Sequence, residues 1–143
     1  DLGWEGPIIT AEGGTLPEIV EVAGANANGV ILSAVYYVPE SPEDMADPMI
    51  RDFLEAYLAR YDEMPASDNA YRGYDAASML VLAMERAGST DPEAVKAEID
   101  AISGVRGLAG EFDYAAGGCE GVQESRVWEY ENQQLVPFDG LDQ

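Results

Sequence analysis

The sequence predicts an α/β fold, in which a parallel sheet with flanking helices is followed by a closing β-hairpin. Three observations predict it. A strand pattern, a helix pattern and a second strand pattern follow one another within about 30 residues, which is typical of a βαβ unit. Helical periodicity then continues to about residue 103. After Gly104, short segments rich in Gly and aromatic residues replace it.

The predicted βαβ unit covers the start of the chain. Residues 7–10 and 30–38 are mostly apolar, as expected of buried parallel strands. Between them, a Thr-Leu-Pro-Glu run is typical of a helix N-terminus, with Thr15 as the cap and Glu18 reaching back to its amide. Gly24 would end that helix.

The middle of the chain predicts three helices. Asp47 can cap the first, whose apolar residues form one stripe. The second, over residues 70–87, is apolar nearly all round, which predicts burial on most sides. Gly88 would cap its C-terminus, and Asp91 would begin a shorter third helix.

The end of the chain predicts strands over residues 110–114 and 125–130. Residues 134–138 would pair with the second of these strands through a tight turn near Asn132. Gly117 and Gly118 mark another turn.

Composition limits the classes of function. The 143 residues suit one domain and contain no apolar run long enough to span a membrane. Because the chain starts at Asp1 without a leader, we expect a mature form or a fragment. The net charge of −21 argues against nucleic acid as a partner. Such acidity fits a cation-binding surface or, as we favour because Lys96 is the only lysine, adaptation to salt.

Residue types exclude several chemistries. Histidine is absent, which removes Ser-His-Asp and Cys-His catalysis and His-bearing zinc sites. Cys119 is the only cysteine, so no intrachain disulfide can form, and we expect it to be a turn or strand residue rather than a reactive thiol. We predict no catalytic residue, no metal site and no cofactor.

Carboxylates and tyrosines are the candidate binding residues. Glu12 follows the first strand, at the edge of an α/β sheet where ligands bind, and a carboxylate there suits an ammonium group. A solvated loop residue is the alternative, and position does not decide between them. Other acidic residues are better explained as surface charge; they are Asp44, Asp47, Asp62, Glu63, Asp68 and Asp75. Four tyrosines suit core packing better than the wall of a cleft; they are Tyr36, Tyr37, Tyr71 and Tyr74.

The order of the motifs resembles a known family. PIITAEGGTLPEIVEVAGANANGVILSAVYYVPESP is similar to a strand, ligand loop, helix and strand of the type 1 periplasmic solute-binding proteins of the leucine/isoleucine/valine class. The later segments of that class resemble, in the same order, the run from DFLEAYLARY through GYDA to AGSTD, then GVRGLAGEFDYAAGG, and then VWEYENQQLVPF. The resemblance covers the C-terminal portion of the family only.

The resemblance implies a fold of two α/β lobes with ligand in the cleft between them. Residues 1–37 and 105–138 would belong to the C-terminal lobe, residues 40–103 to the other lobe, and residues 139–143 to a tail. The chain would be a fragment of a longer receptor. Its unpaired sheet edges would pair with a second chain, as a swapped or edge-paired dimer.

The resemblance also implies a function. The protein would be the substrate-binding component of an ABC transporter in the bacterial periplasm, closing its lobes over a branched-chain amino acid or similar small polar solute and then meeting a membrane permease. Glu12 would bind the ligand ammonium, with Tyr37, Tyr71 and Tyr74 as further ligand-binding residues. A ligand-sensing domain of a receptor or regulator is an alternative with the same fold. A small α/β enzyme using carboxylates is a more remote one.

Overall fold

The fold was analysed in a computed structural model, which describes residues 3–115, 117, 121–122 and 125–140. Within them lie six strands and four α-helices, with three of the helices consecutive in the middle of the chain and four of the strands consecutive at its end. The helices are α1 (Pro17–Ala23), α2 (Pro48–Tyr61), α3 (Asn69–Ala87) and α4 (Pro92–Asp100). The strands are β1 (Ile8–Thr10), β2 (Val30–Ala34), β3 (Val105–Arg106), β4 (Glu111–Phe112), β5 (Arg126–Glu131) and β6 (Gln134–Pro137). The predicted α/β class is confirmed.

One sheet joins the two ends of the chain. Its strand order is β1-β2-β5-β6, with β1 parallel to β2 and the other two pairings antiparallel. The parallel pair with α1 between its strands is the predicted βαβ unit. Asn132 and Gln133 both have positive φ and form the two-residue turn of the predicted hairpin. The strands β3 and β4 form a separate two-stranded sheet.

Helix boundaries in the middle of the chain follow the predicted caps. The Asp47 side chain accepts hydrogen bonds from the amides of Met49 and Ile50 at the start of α2. Gly88 ends α3 in the left-handed conformation, with φ of 59°. Asp91 accepts from the amide of Ala94 at the start of α4. None of the described helices has the length and apolarity needed to cross a lipid bilayer.

Two hydrophobic clusters form the core. The sheet cluster consists of Ala27, Leu32, Ala34, Trp128 and Tyr130. The helical cluster consists of Tyr36, Met45, Ile50, Leu54, Tyr71, Met79, Ile102, Leu108, Ala109 and Phe112. Tyr37 packs against both clusters, so the segment after β2 is the connection between a sheet unit and a helical unit.

Four predictions about local structure were wrong. The first strand, predicted to be buried, is exposed at all three of its residues. The second strand stops at Ala34 instead of residue 38, because the Ala34 carbonyl accepts from the Trp128 indole and the next residues turn toward the helical cluster. Helix α3 buries one stripe instead of most of its surface, and Val81 is 53% exposed. Thr15 does not cap α1, whose N-cap is Leu16.

Some predictions lie outside the described residues. They concern Cys119 and Gly118, and the tail at 139–143, of which only residues 139 and 140 are described.

Candidate functional site

The turn that carries Glu12 is held in place at both ends. Glu12 begins a 3-10 turn, Glu12–Thr15, directly beyond β1, and the Thr15 hydroxyl donates to the Glu12 carbonyl at 2.9 Å. The Gly14 carbonyl accepts from the buried Tyr130 hydroxyl at 2.7 Å. A Cβ on Gly14 would lie 2.5 Å from the Thr10 side chain, so only glycine lets the turn pack this closely on the sheet. The Glu12 side chain is therefore presented from a fixed backbone.

Glu12 faces the helical unit and forms an ion pair with Arg72 of α3. Arg72 also donates through Nε to Asp68 Oδ2 at 2.9 Å, and its guanidinium lies 5.4 Å from the centre of the Tyr36 ring. We call these four residues the Arg72 cluster. The cluster brings the sheet unit and the helical unit together through one cation shared by two carboxylates.

Two of the carboxylates predicted to be surface charge are buried. Asp68 is 7% exposed, and burial raises the pKa of its carboxyl. Asp75 is 2% exposed and accepts hydrogen bonds from the Tyr36 hydroxyl and from the amides of Leu108 and Ala109. The surface-charge interpretation was wrong for both residues, because each side chain has partners that offset its loss of water.

Tyr71 lies fully buried next to the Arg72 cluster. Its ring centre is 5.3 Å from that of Tyr36 in a stacked pair and 5.3 Å from that of Phe53. Its hydroxyl has no hydrogen-bond partner among the described residues. Burial, with smaller contributions from Tyr37 and Asp68, raises the pKa of this hydroxyl, so Tyr71 is a neutral hydrogen-bond donor at ordinary pH.

The other two predicted tyrosines occupy different positions. Tyr37 is half-buried with its ring 4.5 Å from that of Trp128, and burial raises its pKa. It lines an open cleft of about 900 Å³ between the sheet unit and the helical unit. Tyr74 is exposed on α3 and contacts Phe53. Glu12, Tyr71 and Tyr74 are not among the residues that line this cleft, so the candidate site is defined by the Arg72 cluster rather than by the cleft.

Sequence reasoning missed Arg72, Asp68 and Asp75. A signal for the first two was present, because Asp68 and Arg72 have the i, i+4 spacing of an ion pair on one helix. A signal for Asp75 was present as well. It lies in a stripe with a spacing of four residues whose other members are Tyr71, Met79 and Ala83, all of them buried.

The family is shown by comparison with known proteins. The periplasmic binding protein family matches residues 1–134, and the chain belongs to this family. Its members are solute-binding proteins rather than enzymes, which confirms the expectation of a non-enzymatic protein. The resemblance to the type 1 class is confirmed as well. No curated protein matches the chain significantly.

Solved structures of this family share the fold. The leucine binding protein LivK of Thermotoga maritima is 28% identical, with a TM-score of 0.76 over 96% of this chain and 37% of its own. The branched-chain amino acid transporter substrate binding protein LivJ of Streptococcus pneumoniae, in complex with isoleucine, is 21% identical, with a TM-score of 0.71 over 94% of this chain and 36% of its own. A fatty acid ABC transporter substrate-binding protein of Thermomonospora curvata is 17% identical, with a TM-score of 0.74 over 94% of this chain and 36% of its own. The chain therefore spans less than half the length of each.

Proposed function

We propose that this chain is the C-terminal part of the substrate-binding component of a bacterial ABC transporter, which works in the periplasm and delivers solute to a membrane permease. The ligand we propose is a branched-chain amino acid or a similar small solute with an ammonium group. Glu12 binds that group. The single observation that carries the proposal is the position of Glu12, on a fixed turn that faces the other unit and already holds a cation there.

The similar structures support the ligand class. The leucine binding protein is 28% identical to this chain. The fatty acid transporter protein shares the fold at 17% identity, so the fold by itself is compatible with a ligand that has no ammonium group. The carboxylate of Glu12 favours the amino acid, because a buried or half-buried anion needs a cationic partner.

We propose that binding closes the two units over the ligand. The sheet unit brings Glu12, and the helical unit brings Tyr71 and Tyr74, with Tyr37 on the connection between them. Because residues 108–112 pack into the helical cluster, we propose that the helical unit runs from about residue 40 to about residue 115. The residues from about 125 to 138 join residues 1–37 in the sheet unit.

We also propose that the outer edge of β1 is paired in the longer protein. Among the described residues this strand pairs only with β2 and lies at the end of the sheet, and its Ile8 and Ile9 side chains are exposed as well. The isolated 143-residue chain should therefore form edge-paired dimers in a concentration-dependent way, as measured by light scattering after size-exclusion chromatography. A monomer at all concentrations would contradict this.

The function is tested in the protein expressed from the whole gene. The first step is calorimetry with the amino acids and with a medium-chain fatty acid. We expect L-leucine or a close analogue to bind, and Glu12→Gln to weaken that binding by roughly 10- to 100-fold, the range expected for a charge-assisted hydrogen bond.

The matched control is Glu18→Gln, which makes the same change at an exposed position on α1. It should leave the affinity unchanged. If Glu12→Gln binds as tightly as Glu18→Gln, Glu12 is not part of the site. If only the fatty acid binds, the proposed ligand class is wrong.

A further inference from the structure

Arg72 has partners of two different kinds. Asp68 lies one turn earlier on the same helix and has a side chain that is only 9% exposed, whereas the Glu12 side chain comes from the other unit and is 34% exposed. A partner that is buried on the same rigid helix keeps its place when the units move. The Glu12 side chain is about a third exposed, but its Oε1, which pairs with Arg72, is buried, so another cation can reach that oxygen only by displacing Arg72.

The guanidinium also has a third support, on the connection between the two units. It lies over the face of the Tyr36 ring, with its carbon atom 5.4 Å from the ring centre, within the range of a cation–π interaction. Tyr36 itself is fixed by its hydrogen bond to Asp75. Arg72 is thus retained by Asp68 and by Tyr36, which is itself bonded to α3 through Asp75, whether or not Glu12 is present.

We propose that Arg72 is a built-in competitor for the ligand, a cation that occupies Glu12 in the ligand-free protein and holds the two units together there. This inference rests on the proposed role of Glu12. The ammonium group of the ligand displaces Arg72 from Glu12 and pairs with this carboxylate, and Arg72 keeps its ion pair with Asp68. Before the exchange the two carboxylates share one cation, and after it each carboxylate has a cation of its own.

The competition has a consequence for selectivity. A ligand without a cationic group cannot separate Glu12 from Arg72 without leaving the Glu12 carboxylate unpaired. Such a ligand is therefore rejected, because it breaks the ion pair and supplies no cation to replace Arg72 at Glu12. Arg72 would set the minimum interaction free energy with Glu12 that a ligand must provide, although Arg72 does not contact the ligand itself.

The test uses the Arg72→Gln variant of the protein expressed from the whole gene, with L-leucine as the probe. Removal of the competitor should tighten leucine binding by roughly two- to fivefold, the range of an ion pair between half-exposed side chains. In the ligand-free protein, hydrogen exchange of the backbone amides in residues 11–16 should become several-fold faster, because the turn has lost its contact with α3.

The matched control is Arg86→Gln, the same change at an exposed position about four turns further along α3. It should change neither readout. In the Glu12→Gln background, Arg72→Gln should no longer affect leucine binding, because the two residues act through one ion pair.

Each outcome decides the inference. Weaker leucine binding in Arg72→Gln would show that Arg72 positions Glu12 or contacts the ligand, and would overturn the competitor role. Unchanged exchange in residues 11–16 would overturn the role in holding the units together. A loss of leucine binding in Glu12→Gln together with weaker binding in Arg72→Gln would leave the proposed function standing while this inference fails. If the unmodified protein binds no leucine, the proposed ligand is wrong, and the exchange measurement alone decides the role of the ion pair.

Discussion

The Tyr36 hydroxyl donates a hydrogen bond to Asp75 Oδ2 at 2.7 Å, which joins the connection between the two units to helix α3 across 39 residues of sequence. The same carboxylate accepts the amides of Leu108 and Ala109, each at 2.8 Å. Three donors from two segments therefore converge on one buried anion. Burial, and then the hydrogen bond to Asp75, raises the pKa of Tyr36, so this donor keeps its proton at ordinary pH.

Asp75→Asn should destabilise the protein by about 2–4 kcal/mol. The amide of asparagine replaces one acceptor oxygen with a donor, which then meets backbone N–H groups or the Tyr36 hydroxyl in a buried site. Urea unfolding followed by circular dichroism measures the loss. The matched control is Asp52→Asn on the exposed side of α2, which should change stability by less than about 0.5 kcal/mol. Equal effects of the two substitutions would contradict the role of Asp75.

Tyr71→Phe should stabilise the protein by about 1 kcal/mol at pH 7. The substitution removes a buried hydroxyl that has no partner among the described residues, while the ring keeps its packing against Tyr36 and Phe53. Urea unfolding at pH 7 measures the change. A loss of more than about 1 kcal/mol would show that the hydroxyl has a partner that stabilises the fold, such as an ordered water.

The same residue predicts sensitivity to alkali. Burial raises the pKa of Tyr71 above the value of about 10 that it has in the unfolded chain. The folded state therefore holds its proton more tightly, and the stability from this group is complete below pH 10 and is lost as the pH rises further. Tyr71→Phe should lose less stability than the unmodified protein between pH 9 and about pH 11.

An exposed tyrosine provides the comparison for that measurement. Tyr61 lies at the end of α2 and is 54% exposed. Tyr61→Phe should follow the pH dependence of the unmodified protein. The explanation fails if Tyr71→Phe loses stability above pH 9 as steeply as Tyr61→Phe does.

Gly107→Ala should destabilise the protein by about 1–3 kcal/mol through overpacking. A Cβ at this position would lie 2.6 Å from Phe112 Cε2 and 2.8 Å from Asp75 Oδ1, so the carboxylate would have to leave its amide donors. Thermal unfolding measures the effect. The size of the loss should shrink in the Asp75→Asn background, where the network is already broken.

Gly73→Ala is the control with the opposite sign. No atom lies within 4 Å of a Cβ built on Gly73, which occupies the exposed side of α3. Alanine should stabilise the helix there by about 0.5–1 kcal/mol, because it has the higher helix propensity. If both glycine substitutions destabilise the chain alike, the close contacts of Gly107 do not explain its effect.

The sequence predicted those parts of the fold that depend on neighbouring residues. Asp47, Gly88 and Asp91 each act on a backbone within four residues of themselves, and the helix boundaries follow from them. The hairpin turn at Asn132 is equally local. These features need only short-range chemistry, so one sequence is enough to find them.

The features that the sequence did not predict depend on distant residues. Residues 35–38 have the composition of a strand, but Ala34 already pairs with Arg126 at the first residue of β5, and no described residue continues that pairing. Asp75 can be buried because the amides of Leu108 and Ala109, which lie 33 and 34 residues away in sequence, donate hydrogen bonds to it. The ion pair of Glu12 with Arg72 likewise depends on how two units meet. Hydrophobic and charge patterns do not encode these contacts.

The division of the sheet between the two ends of the chain has a consequence for folding. The indole of Trp128 meets the Ala34 carbonyl across 94 residues, and the hydroxyl of Tyr130 meets the Gly14 carbonyl across 116. Closing loops of this length is slow, whereas the hydrogen bonds to Asp75 in the helical unit span only 33 to 39 residues. We expect the helices to form early and the sheet to be completed late. The turn that carries Glu12 would then acquire its final position in one of the last steps, so that a newly made chain presents its proposed binding residue only when the rest of the molecule is already folded.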